Sequence, residues 1–241
     1  MDNRLSQDLV IPCYDTDFSC LLKPASFMDL AQEMANIHAR QLGFGYDDLM
    51  RTRTVWVLSR MHIRFERYPK WREEVTMSTW HKGTSRLFYL RDFQMKDRQG
   101  NVLVSATTSW LVINIDTRRL CRDAGILDEG TACSDNAIEQ ECGKVQLPSG
   151  TVESKVAEHR VAYSDVDMNG HTNNARYLVW AMDTLDFDSL VSEPVKDVRI
   201  NFNSETRPGD IVELFRADAC GRIYVEGKVG GKSAFCVELG R

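Results

Sequence analysis

No stretch of the 241-residue chain approaches the roughly 18–20 consecutive apolar residues that a membrane span needs. The first residues, Met1-Asp2-Asn3-Arg4-Leu5-Ser6-Gln7-Asp8, are polar and lack the apolar core of a secretory signal, so a cytoplasmic location is expected. Basic charge is in short supply: 30 Lys+Arg against 35 Asp+Glu leave a net charge of -5. A nucleic-acid binder that works by neutralising phosphates is therefore not expected. The 7 cysteines (Cys13, Cys20, Cys121, Cys133, Cys142, Cys220 and Cys236) are odd in number, and no pair has C-x-x-C spacing. That argues against zinc and thioredoxin-type sites and for reduced thiols, several of them small core residues. With 15 Gly and 6 Pro, collagen-like and low-complexity chains are excluded. What remains is ordinary: 43% hydrophobic and 27% charged residues. A chain of this size buries roughly 70–75% of its unfolded surface without disulfide or metal staples. Its length allows one large or two small domains.

An internal repeat organises the chain. Tyr14-Asp15-Thr16-Asp17-Phe18, leading into Pro24-Ala25-Ser26-Phe27, matches Tyr163-Ser164-Asp165-Val166-Asp167, leading into Asn174-Ala175-Arg176-Tyr177. Asp15 pairs with Asp165, Asp17 with Asp167 and Phe27 with Tyr177, all at an offset of 150. A second match, Ile63-Arg64-Phe65 with Ile200-Asn201-Phe202, followed by Glu73 with Asp210, has an offset of 137. Weak singly, the matches occur in the same order and suggest two copies of one module.

Each copy reads as an extended segment, an Asp-bearing turn, one substantial helix and then β-rich runs. The first helix is expected over about Pro24 to Leu42, with Pro24 suiting its first turn and Gly43 and Gly45 its end. Its apolar face is traced by Leu30, Met34, Ile37 and Gln41, with Ala31, Ala35 and His38 beside it. The second is expected over about Asn173 to Leu190. Strand-like runs follow, with turns at Asp97-Arg98-Gln99-Gly100-Asn101, Pro208-Gly209-Asp210 and Gly230-Gly231-Lys232. The fold class is therefore α+β. Residues 1–122 form the first module and 150–241 the second. The acidic segment 123–149, with Asp128, Glu129, Asp135, Glu139 and Glu141, reads as a solvated surface linker.

The residues that carry chemistry stand at Asp165-Val166-Asp167-Met168-Asn169-Gly170-His171-Thr172-Asn173-Asn174, just ahead of the second helix. Asp165-x-Asp167-x-Asn169-Gly170 imitates the first half of an EF-hand loop. The bidentate Glu that such a loop needs at its twelfth position is Arg176 here, so calcium is not expected. A capped turn explains Asn173 or Asn174, since an Asx side chain suits a helix start. It does not explain Asp167 and His171 together. At the matched positions the first copy has Asp17, Ser19 and Leu21 in place of Asp167, Asn169 and His171. A folding requirement acts on both copies, whereas an active site is needed in only one.

The run Asp167-Met168-Asn169-Gly170-His171-Thr172-Asn173-Asn174-x-x-Tyr177 resembles the D-x-N-x-H-x-N-N-x-x-Y signature of acyl-acyl carrier protein thioesterases, known from plant plastids and from bacteria. The resemblance covers nearly the whole chain and implies a tandem of two hotdog modules, each a long helix wrapped by an antiparallel sheet. It carries the signature Asp, Asn and His onto Asp167, Asn169 and His171. A further acid on a later strand is supplied as Glu205 in Asn201-Phe202-Asn203-Ser204-Glu205-Thr206. Plant members usually have Cys after that Glu. Thr206 here excludes a cysteine nucleophile at that position. The absence of a long plastid-targeting segment looks like a bacterial cytosolic member.

The implied reaction is hydrolysis of the acyl thioester to free fatty acid and holo-carrier protein. It needs an activated water or a carboxylate nucleophile and donors for the developing oxyanion, but no cofactor and no metal. Asp167 and Glu205 are the available acids, and either fits the base or the nucleophile. Asn169 can position a reacting group, His171 can relay a proton, and the start of the second helix offers N–H groups. Glu205 could instead form an ordinary surface pair with Arg207. Other readings are an acyl-CoA thioesterase, a hotdog dehydratase of 3-hydroxyacyl thioesters and a non-catalytic acyl-binding module. The expected partner is acyl-loaded acyl carrier protein, an acidic protein, docked on Arg51, Arg53, Arg64, Arg67, Lys70 and Arg72 unless these are plain strand-edge charges. The first module, its polar site degenerate, is expected to select the acyl chain. The sequence leaves oligomeric state open, a homodimer included.

Overall fold

The computed structural model describes residues 3–121 and 131–241. The chain divides into two compact units. Unit 1 is Met1–Met61 with Phe65–Cys142, and unit 2 is His62–Arg64 with Gly143–Arg241. Among the described residues there are ten strands and four α-helices, an α+β fold with antiparallel pairing.

In unit 1, β1 (Leu5–Val10) precedes α1 (Pro24–Gln41) and the short α2 (Tyr46–Arg51). Four longer strands follow: β2 (Thr54–Phe65), β3 (Glu74–Ser85), β4 (Phe88–Asp97) and β5 (Val102–Asn114). The sheet order is β1-β3-β4-β5-β2. Pro24 stands at the start of α1, where its missing N–H costs nothing. The buried face of α1 is Phe27, Met28, Ala31, Met34, Ala35, His38 and Ala39, whereas Leu30 and Ile37 are half-buried and Gln41 is exposed. The expected apolar face is thus rotated. Alanines at i, i+4 and i+8 let the helix approach the sheet, and Leu30 and Ile37 stand at its flank.

In unit 2, β6 (Ser154–Arg160) precedes α3 (Asn174–Met182) and α4 (Phe187–Ser192). Then come β7 (Asp197–Phe202), β8 (Ile211–Ala219), β9 (Arg222–Val229) and β10 (Lys232–Gly240). The order is β6-β8-β9-β10-β7, which matches unit 1 element for element. The single helix expected over Asn173 to Leu190 is two helices. Asp183 ends α3, Thr184 Oγ1 donates to Ala181 O at 2.7 Å, and the Asp186 carboxylate accepts from Ser189 N at 2.9 Å to start α4. These short polar side chains bind their own backbone and interrupt the apolar period.

Backbone hydrogen bonds repeat with the offsets read from the sequence. Ile11 N donates to Glu73 O at 3.0 Å and Val161 N to Asp210 O at 2.9 Å. Leu22 N donates to Pro69 O at 2.9 Å and Thr172 N to Thr206 O at 3.0 Å. The two units are two copies of one topology.

Asp128, Glu129, Gly125 and Gly130 of the acidic segment lie outside the described residues. The rest of that segment is anchored, not purely solvated. Trp80 Nε1 donates to Asp135 O at 2.8 Å, Ala137 N to Asp92 Oδ2 at 2.7 Å, and Cys142 Sγ to Thr107 O at 2.9 Å. Ile138, Cys142 and Val145 are buried. Backbone groups of the segment and the Cys142 thiol thereby satisfy polar groups on the strands of unit 1.

Candidate active site

The turn between β6 and α3 is built by its own polar residues. Asp167 N donates to His171 O at 3.0 Å and Gly170 N to Asp167 O at 3.0 Å, closing a tight loop. Gly170 has φ +81, the left-handed conformation that favours glycine. The matched Cys20 in unit 1 has φ 59, and Asp17 N donates to Leu21 O at 2.8 Å. The backbone turn is therefore common to both copies, and only its side chains differ.

Asp167 is half-buried. Its Oδ1 accepts from Asn169 N at 2.8 Å and its Oδ2 lies 3.5 Å from Asn169 Nδ2. Asp17 does the same work in unit 1, accepting from Ser19 N at 2.8 Å and Leu21 N at 3.0 Å. One part of the Asp167 role is thus to hold the turn, which accounts for an acid in both copies. Asn169 is exposed.

His171 and Glu205, far apart in sequence, are brought together: His171 Nε2 lies 3.7 Å from Glu205 Oε2, and both side chains are about a quarter exposed. Their backbones are fastened by the neighbouring residues. Thr172 Oγ1 and Thr206 Oγ1 are 2.6 Å apart, and Tyr177 Oη lies 3.2 Å from Thr206 Oγ1 while accepting from Thr206 N at 3.1 Å. Thr206 is 0% exposed. Burial pushes the Tyr177 phenol up. It remains a neutral hydroxyl able to donate and accept.

The helix start is less open than the sequence suggests. Asn173 caps α3, its Oδ1 accepting from Ala175 N at 2.8 Å and its carbonyl from Arg176 N at 3.0 Å. Asn173 N is itself bound to Asp165 O at 2.8 Å. Of these first N–H groups, Asn174 N has no acceptor among the described residues. Asp165 is a structural acid: its Oδ2 accepts from His159 Nε2 and from Ala162 N, both at 2.8 Å. Burial alone would raise its carboxyl, but the His159 and Ala162 hydrogen bonds prevail and hold it low. Sequence reasoning missed Thr172, Thr206 and His159. Thr172 and Thr206 are 34 positions apart, and no local pattern signals that their hydroxyls converge. No group of three or more His, Cys, Asp or Glu among the described residues is placed to hold a metal ion. No described helix is long and apolar enough to cross a membrane.

Two family models match this chain: the acyl-ACP thioesterase N-terminal domain over residues 2–132 and the C-terminal domain over 149–228. The chain belongs to the acyl-ACP thioesterase family. An oleoyl-acyl carrier protein thioesterase of Coriandrum sativum chloroplasts is 27% identical over 223 residues, covering 86% of this chain and 60% of the coriander protein. The chain thus spans between 49% and 62% of the length of the curated plant relatives it matches. Among solved structures, an acyl-ACP thioesterase from Bacteroides thetaiotaomicron is 26% identical, with a TM-score of 0.82, covering 98% of this chain and 97% of the other. A 12:0-ACP thioesterase from Umbellularia californica has a TM-score of 0.84 at 20% identity, covering 99% and 96%, and shares the fold.

Proposed function

We propose that the protein hydrolyses acyl groups from acyl carrier protein, releasing free fatty acid and holo-carrier protein and so ending chain elongation. The observation that carries this is the 3.7 Å approach of His171 Nε2 to Glu205 Oε2 beside the Asp167–Asn169 turn, in a chain of the acyl-ACP thioesterase family. Glu205 accepts a proton from water as its oxygen attacks the thioester carbonyl. The oxyanion is met by Asn169 Nδ2 and Asn174 N–H. Glu205 passes that proton to His171, and when the tetrahedral adduct collapses the C–S bond breaks and the thiolate takes the proton from His171, leaving Glu205 ionised again. Asp167 acts through Asn169. Its Oδ1 is engaged as that of Asp17 is, which disfavours direct attack by this carboxylate.

Each unit is read as a hotdog module, making a tandem double hotdog. The identical strand order and the helix following the first strand in each unit support this. Unit 2 carries the chemistry, and unit 1, with Leu21 and Tyr68 where unit 2 has His171 and Glu205, selects the acyl chain. Of the basic residues expected to dock the carrier, Arg51, Arg53, Arg64 and Arg67 have acidic partners in Asp48, Asp116, Asp197 and Glu73. Lys70 and Arg72 are exposed and are the better contacts.

The test compares one acyl group on acyl carrier protein and on coenzyme A, with product analysis. Free acid and thiol, released faster from the carrier protein, are expected. Faster release from coenzyme A would make the protein an acyl-CoA thioesterase, and an enoyl thioester product would make it a dehydratase.

A further inference from the structure

We infer that the guanidinium of Arg91 is a carboxylate-binding position inside unit 1. Arg91 lies on β4 and is 6% exposed. Its Nη1 donates to His38 Nδ1 at 2.9 Å and to Thr79 Oγ1 at 3.1 Å. The Thr79 hydroxyl donates onward to Asp92 O at 2.9 Å, so it accepts from Arg91. Nε and Nη2 have no acceptor among the described residues, and no carboxylate pairs with the guanidinium.

Among the described residues no carboxylate faces the guanidinium. Burial, with the Arg91 charge beside it, holds His38 down at about 4, and His81, opposite Arg91 in the strand register, is lowered for the same reasons. Both imidazoles are neutral near pH 7. Among the described residues the buried cation is therefore uncompensated, a state ordinarily relieved by pairing.

The free edge of the guanidinium identifies the ligand class. Nε–H and Nη2–H are parallel and match the two oxygens of a carboxylate in a bidentate pair, while His38 and Thr79 hold the other edge still. The surroundings are selective: the same sheet row holds His81 and Thr108, whereas Phe93, Met95 and Ala106 further along are apolar and buried. With Ala31, Ala35 and Ala39 buried on α1, this suits an apolar chain that ends in a carboxylate.

Two sources share this chemistry: the far end of an acyl chain selected by unit 1, which rests on the thioesterase reading, and a separate small carboxylate. The experiment uses the full chain, wild type and Arg91→Met, with Arg91→Lys retaining the charge without the fork. Melting temperature is read against acetate at matched ionic strength with chloride, which needs no hydrolysis. In parallel, kcat/KM is compared for carboxyl-ended and methyl-ended acyl groups of equal length on the carrier protein. Acetate should raise the melting temperature of the wild type and not of Arg91→Met. A carboxyl-ended preference of about a hundredfold that collapses in Arg91→Met identifies the acyl chain as the source. Acetate stabilisation without that preference identifies a separate carboxylate. Acetate acting on neither or equally on both proteins, with the chain-end ratio unchanged by Arg91→Met, overturns the inference. If no thioester is hydrolysed at all, the proposed function fails while the acetate arm still decides.

Discussion

Thr172 and Thr206 share a 2.6 Å contact between their hydroxyl oxygens, and each is the chain neighbour of one half of the candidate acid–base pair, His171 and Glu205. The Tyr177 phenol closes the group against Thr206. This buried cluster therefore sets the spacing of the pair without touching the reacting atoms. Thr206→Val keeps the shape and leaves two hydroxyls short of a partner. It should cost about 1–3 kcal/mol of stability. A slip in the pair should lower kcat by up to about 10²-fold with KM little changed. Thr206→Ser should restore both. Equal kcat in Val and Ser variants would show that the cluster does not position the pair.

Asp17→Asn and Asp167→Asn should separate. An Asn Oδ1 can still accept from Ser19 N and Leu21 N, so Asp17→Asn should leave hydrolysis largely intact. Asp167→Asn also keeps the turn but loses the negative charge facing Asn169, and should cost about 10²-fold or more in kcat. Turnover assays on both variants, with melting curves, check this. Equal losses would remove the distinction between the units.

His38 makes stability depend on pH. Its ordinary pKa of 6.5 falls to about 4 in the fold, chiefly through burial and then through Arg91. Its contribution is complete above 6.5 and is lost as pH falls towards 4, reaching about 3 kcal/mol. His38→Gln, which retains an acceptor for Arg91, should flatten denaturant-measured stability across that window. An unchanged slope would show that another group titrates there.

Unit 1 should respond to bulk on α1. Ala31→Phe and Ala35→Phe, on its buried face, should shift the preferred acyl chain to shorter lengths, since each buried methylene is worth about 0.8 kcal/mol. Ile37→Trp, at the half-buried flank, should shift it less. Core overpacking alone would lower stability by about 1–3 kcal/mol and leave the order of chain lengths as it was. Chain-length profiles with melting curves separate the two.

The repeat, the strand runs and the polar turn were legible because they are local: an Asp-bearing turn before a helix and alternating β-prone residues announce themselves over ten positions. The division of the second helix was not, because Thr184 and Asp186 stop it by binding their own backbone inside a continuing apolar pattern. The anchoring of 135–145 was hidden because Ile138, Cys142 and Val145 are single apolar residues among charges. The pairing of buried Arg91 with His38 was hidden because it joins β4 to α1, distant in sequence. The convergence of Thr206 with Thr172 likewise depends on long-range pairing.

The most direct measurement is release of free fatty acid from acyl carrier protein by the wild type, His171→Ala and Glu205→Gln, each shown to be folded. The account expects hydrolysis by the wild type and losses of about 10²–10⁴-fold in kcat for both variants. Near-wild-type release by a folded His171→Ala or Glu205→Gln protein would contradict the assignment of this pair to the chemistry.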